Sequence, residues 1–351
     1  MNHASTLTER AAHDPRLQLL RQWLERDLGF GNYTIAPASA DASFRRYFRV
    51  ARTGHESLIV MDAPPDKEDV GPYLRVATML QQIGVHAPRV LERSAPDGFL
   101  LLTDLGTRMY LPELARPGRA DELYADAIAA LVRIQSRGAE AAQQLPPYDE
   151  RLLRFEMSLF PDWLLQRHLA LALDAPEARM LAAAMDALVA NALEQPQVFV
   201  HRDYHSRNLM VCPGDNPGIL DFQDAVRGAL TYDLISLLRD AYVEWPQDRV
   251  VAWARQYRAE ASVAGLDTGR DESQFLRWFD LIGLQRQLKV AGIFARLWHR
   301  DGKPGYLADI PRTLGYAIGA CARQSDFRDL GRLIEQRVLP AVVARLAAAA
   351  P

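Results

Sequence analysis

A chain of 351 residues with a net charge of −3, about half of it apolar, is too long for one ordinary hydrophobic core and points to two domains. Its weak acidity and the lack of a basic stripe interleaved with aromatics argue against a nucleic-acid polymer as partner. No stretch approaches the roughly 18 to 20 apolar residues of a bilayer span, so no membrane partner is expected either.

The opening MNHASTLTERAAHDPR lacks the apolar core of a signal peptide, and Cys212 and Cys321 stand far apart, outside any metal-ligand spacing. A cytoplasmic protein with two ordinary thiols is expected. Leu17, Leu20, Leu24 and Leu28 fall at helical spacing and predict an amphipathic helix over 16–29 that ends at a glycine. Residues 44–51 and 57–61 are rich in aromatic and branched side chains, flank Thr53-Gly54 and read as a hairpin that Pro64-Pro65 stops. A helix over 69–83, an extended stretch after Pro88, the Asp97-Gly98 turn and the strand FLLLTD complete a small α+β lobe over 1–105. From about residue 119 the periodicity is helical, over 119–137, 152–171, 177–194, 231–243, 274–298 and 327–349. The fold class predicted is therefore α+β and two-lobed, with a β-rich lobe over 1–105, a helical lobe over 106–351 and a cleft between them.

Two strands interrupt the helical part. In VFVHRDYHSRNLMV (198–211) an apolar strand breaks into a run of polar residues and resumes, and in GILDFQDA (218–225) an aspartate directly follows an apolar strand. Asp203 and Asn208 have the separation of the catalytic loop H-R-D-x-x-x-x-N of protein kinases, and Asp221 follows on the next strand. Phosphoryl transfer needs a carboxylate to accept the proton of the attacking hydroxyl. It also needs hard oxygen ligands to hold Mg²⁺ on the nucleotide phosphates. Asp224 is either a second acid at the metal or a turn cap. His201 and His205 have a zinc-like spacing but no third ligand, so His201 reads as a brace for the loop. Asp233 reads as a helix cap or a buried acceptor for loop amides.

HRDYHSRNLM, GILDFQDA and ALTYDLISLLRD together resemble the aminoglycoside phosphotransferase and choline kinase superfamily. SADASFRRYFRV, LIVMDAPP, GVHAPRV and GFLLLTDLGTRMYL narrow the likeness to the anomeric amino-sugar kinases of bacterial cell-wall recycling. The resemblance implies a protein-kinase-like fold, ATP and Mg²⁺ as cofactors, and N-acetylmuramate or N-acetylglucosamine phosphorylated at the anomeric hydroxyl. Asp203 would be the base, and Asn208 and Asp221 the magnesium ligands. SADASFRRYF would cover the nucleotide, with Ser43, Arg45, Arg46, Thr103 and Asp104 as the candidate nucleotide contacts.

Two departures stand out. The covering loop has no glycine, and Met61-Asp62 stands where kinases carry a phosphate-contacting lysine. Arg45, Arg46, backbone amides or Lys67 would have to meet the phosphate charge; Lys67, Lys289 and Lys303 are the only lysines. Only about ten residues separate Asp221 from the next helix, too few for a peptide-binding activation segment, so a small-molecule acceptor is expected. Arg207, Arg227, Arg239, Arg286 and Arg296 suit an anionic acceptor better than a cationic one. Arg239 and Arg286 are the candidates for a muramyl carboxylate and Gln223 and Gln285 for the 2-acetamido group, and His205 completes the acceptor set. An aminoglycoside- or choline-type phosphotransferase and a nucleotide-binding pseudokinase are the alternatives.

Overall fold

The computed structural model describes residues 14–40 and 44–349. The chain divides into two compact units. One takes the described residues up to Gln82 with His86–Thr107, and the other takes Ile83–Val85 with the residues from Arg108 onward.

In the first unit, helix α1 (Pro15–Gln22) begins where Asp14 caps it by accepting from the Leu17 amide at 3.1 Å, and it runs on as a π-helical turn to Asp27. Leu17, Leu20, Trp23 and Leu24 form its buried face and pack on Phe48, Val50, Val60, Phe99 and Leu101. Those partners come from a five-stranded antiparallel sheet. It comprises β1 (Thr34–Ala40), β2 (Arg46–Ala51), β3 (Leu58–Asp62), β4 (Val90–Ser94) and β5 (Phe99–Thr103), in the order β1-β2-β3-β5-β4. Helix α2 (Gly71–Ile83) follows β3. The edge strand β1 has no counterpart among the sequence expectations. Its TIAPASA lacks clean alternation, and Pro37 sits at a register shift, a position that an edge strand tolerates.

The second unit is mostly helical: α3 (Ala120–Arg137), α4 (Glu150–Leu159, continuing as a π-helix to His168), α5 (Ala175–Glu194), α6 (Tyr232–Leu238), α7 (Gln247–Val263), α8 (Glu272–Asp301), α9 (Ile310–Arg323) and α10 (Leu339–Ala349). Helices α7 and α9 were not among the expected ones, although Val250, Trp253, Ala254, Tyr257 and Ala261 bury a helical stripe. The helix expected over 231–243 stops at Leu238. Helix α8 is buried along most of its length. A Cβ on its Gly292 would stand 2.3 Å from the carbonyl carbon of Leu159, so the α8 backbone touches the end of α4 at a point that only glycine allows. Two small antiparallel pairs interrupt the helices: β6 (Gln197–Val200) with β9 (Val226–Ala229), and β7 (Leu209–Met210) with β8 (Gly218–Ile219). Among the described residues no helix is long and apolar enough to cross a membrane.

Candidate active site

The two polar interruptions meet at the ends of these short strands. After β6 the chain turns through Arg202 at φ 77°, and after β8 through Asp221 at φ 60°. Both are left-handed conformations that cost a non-glycine residue on the order of 1 kcal/mol or more and persist only where the surroundings over-determine them. Asp233, at the start of α6, supplies one constraint, since its carboxylate accepts the His201 amide at 2.6 Å and the Arg202 amide at 2.9 Å. Burial pushes its carboxyl up to about 7, against the pull of those two amides. Asp233 is thus the buried acceptor of loop amides, one of the two roles its sequence position suggested. His201 supplies another constraint, because its Nε2 lies 3.0 Å from the Leu220 carbonyl while Nδ1 accepts the Asp203 amide at 3.3 Å. One nitrogen donates and the other accepts, so the ring is neutral, and burial keeps its pKa down at about 4.

Asp203, Asn208 and Asp221 are brought together, each partly exposed. The Asn208 side-chain amide donates to the Asp203 carbonyl at 3.0 Å and to Asp221 Oδ2 at 3.4 Å, so one side chain ties both loops. The Leu220 amide donates to the Asn208 carbonyl at 2.9 Å, and Gln223 Nε2 donates to Asp221 Oδ1 at 2.8 Å. With its nitrogen committed, Asn208 presents a carbonyl oxygen beside a carboxylate, a hard donor pair. Among the described residues no three His, Cys, Asp or Glu side chains gather as a cage. A two-residue donor set is what a magnesium ion needs when nucleotide phosphates and water complete its shell.

Burial raises the Asp203 carboxyl, but His205, Lys289, Arg202 and Arg286 outweigh it and hold the group below its ordinary value. Burial also holds the His205 imidazole low. Lys289 and Arg202 belong to a buried cluster absent from the sequence expectations. Glu156 on α4 accepts from Arg202, from the Tyr148 hydroxyl, and from Lys289 Nζ at 2.9 Å. Lys289 also donates to the Tyr232 hydroxyl at 3.0 Å, and Tyr148 and Tyr232 meet edge to face at 5.3 Å. The available signal was a lone lysine in the run LQRQLKVAG of a helix, in a chain that has only three lysines.

The remaining candidates are more scattered. His205 stands edge-on to Tyr242 at 5.6 Å. Gln285 is fully buried, its nitrogen 3.4 Å from the Tyr148 hydroxyl, and Arg286 beside it is buried with Nη1 unpartnered. The guanidinium of Arg239 is committed to Gln247 and the Trp245 carbonyl, and it lines a small cavity with Asp280, Gln287, Tyr316 and Arg323.

In the first unit Ser43 falls outside the described residues. Arg45 immediately precedes β2. Arg46 donates to Asp62 at 2.9 and 2.5 Å and to Asp14. Asp62, fully buried, also accepts from Arg16. Thr103 accepts the Arg89 amide through its hydroxyl at 2.9 Å, and Asp104 binds Arg49 at 2.6 and 3.0 Å and Ser57 at 2.7 Å. Lys67 rests over the Phe44 ring at 4.8 Å.

Comparison with known proteins places this geometry in context. Residues 34–276 match the profile of the phosphotransferase enzyme family. The N-acetylmuramate/N-acetylglucosamine kinase of Pseudomonas aeruginosa is 49% identical over 331 residues, covering 92% of this chain and 96% of that protein. The protein of the same name from Pseudomonas putida is 44% identical over 334 residues, covering 92% and 97%. Among solved structures, the GDP complex of aminoglycoside 2'-phosphotransferase-IIIa aligns with a TM-score of 0.59 at 14% identity, covering 88% of this chain and 99% of the other. The protein-kinase-like fold expected from the sequence is the fold observed.

Proposed function

Since the chain belongs to the phosphotransferase enzyme family and is a kinase of an alcohol acceptor, we propose that it moves the γ-phosphoryl group of ATP to the anomeric hydroxyl of N-acetylmuramate and N-acetylglucosamine. The observation that carries the chemistry is the Asn208 amide, which holds the loop of Asp203 and the loop of Asp221 in one register. In this reading Asp203 accepts the hydroxyl proton while the sugar oxygen bonds to phosphorus and the bridging P–O bond to ADP breaks. Asn208 Oδ1 and Asp221 would hold Mg²⁺. What the ion supplies when bound is neutralisation of charge on the phosphates.

Two considerations favour a reducing sugar. The relatives that match nearly the whole chain carry that acceptor in their names. A carboxylate held below its ordinary pKa is also a weak base, which suits the anomeric hydroxyl, the most acidic one of a reducing sugar. Arg286, buried beside the catalytic loop with an unpartnered nitrogen, is the assigned partner of a muramyl carboxylate, and Gln223 and Gln285 are assigned to the acetamido group.

The test is an acceptor screen with ATP and magnesium, the product identified by phosphorus NMR and by acid lability. An acid-labile sugar 1-phosphate is expected from both amino sugars. A 6-phosphate product, or preference for kanamycin or choline over both, overturns the reading.

A further inference from the structure

Resting on the reading of Asp203 as the proton acceptor, we infer that Lys289 is a positioning residue for it, acting through Glu156 and Arg202. The link is continuous. Lys289 Nζ binds Glu156 at 2.9 Å, Glu156 binds the Arg202 guanidinium, and Arg202 is the left-handed residue immediately before Asp203. Asp233 restrains that turn from the backbone side, and Glu156 restrains it from the side-chain side. Glu156 is itself placed by the contact of Gly292 with Leu159, three residues along each helix from Lys289 and Glu156.

Charge counting gives Lys289 its part. Glu156 and Arg202 alone would form a balanced pair, and Lys289 adds one further buried positive charge, which acts with Arg202 and Arg286 on the Asp203 carboxylate. A cluster kept only for stability needs no such charges, because a well-packed apolar set of equal volume commonly serves as well or better. The two tyrosines add hydrogen bonds to the cluster: Tyr148 donates to Glu156, and Tyr232 accepts from Lys289. The cluster thereby reaches β9 too, since the Tyr148 amide donates to the Arg227 carbonyl at 2.8 Å.

The test compares Lys289→Met, Lys289→Arg and the near-isosteric Tyr232→Phe with wild type. The assay uses magnesium-ATP and whichever of N-acetylmuramate, N-acetylglucosamine, kanamycin and choline wild type turns over fastest. Failure of both amino sugars would sink the acceptor assignment while leaving this comparison intact. Lys289→Met should lower kcat by about 10- to 100-fold with both KM values within about twofold, and Lys289→Arg should restore most of the loss. If Lys289→Met does not fold, Tyr232→Phe decides, with an expected three- to tenfold fall in kcat and unchanged KM. Unchanged kcat in the folded variants, or kcat losses that merely follow the unfolded fraction, would overturn the inference.

Discussion

The loops of Asp203 and Asp221 in the second unit and the charged rim of the sheet in the first handle polar groups in opposite ways. Around Arg46, opposite charges consume one another. Asp62 is buried under Arg16 and Arg46, and Asp104 is taken by Arg49 and Ser57. Around Asp203, Asp233 holds the backbone and the Asn208 and Gln223 amides donate to Asp221, while Asp203, Asn208 and Asp221 stay partly exposed. The first arrangement is a closed set of ion pairs. The second keeps its carboxylates partly exposed while cations gather behind Asp203, and two left-handed non-glycine residues are retained there. A site is thus distinguished by what its partners leave open more than by how many charges it contains.

The largest expected effect sharpens that contrast. Asp203→Asn should reduce kcat by roughly 10² to 10⁴, the usual share of a general base, with nucleotide affinity near wild type by calorimetry. Wild-type turnover would remove Asp203 from the chemistry.

The second prediction uses acid and base. Asp233 has a folded pKa raised to about 7 from an ordinary 3.8, so the folded state holds a proton that the unfolded state has released, and its contribution is lost as pH rises through about 7. Asp14 and Asp104 behave oppositely. Burial raises them, but Arg46 and Arg49 with Ser57 outweigh it, so their contribution is present above their ordinary value and is lost in acid. Between pH 5 and 8, wild type should lose about 2–3 kcal/mol relative to Asp233→Asn in urea unfolding. A constant gap would mean that Asp233 does not titrate there.

Next, Arg46→Ala strips one cation from a buried carboxylate that keeps Arg16, and should cost about 1–3 kcal/mol of stability at unchanged kcat. Weakened nucleotide binding at unchanged stability would break the comparison by making this rim a site. Lys67→Ala should have the smallest effect, within about 1 kcal/mol in thermal unfolding, since it removes only a surface cation–π contact. A larger loss would give Lys67 a partner beyond Phe44.

Legibility followed the same division. Asp203, Asn208 and Asp221 could be picked out because their chemistry fixes both residue type and spacing, and the strands around them have clear apolar runs. Strand β1 escaped because an edge strand with a proline carries little alternation, and α7 escaped although its stripe was present in the sequence. Glu156 and Lys289 lie 133 positions apart, and nothing local tells either that the other is its partner. Arg46 shows the converse limit. An arginine near a phosphate-type loop has the right chemistry, while its pairing with Asp62 depends on the cross-strand register of β2 and β3.

The Gly292 contact bears on how this chain can vary. Any side chain there would push α8 away from Leu159 and pull Lys289 off Glu156 with it. Position 292 is therefore closed to single substitution: relatives that replace the glycine should also have repacked the contact of α8 with the end of α4, and a library that samples this position alone should return almost no active clones.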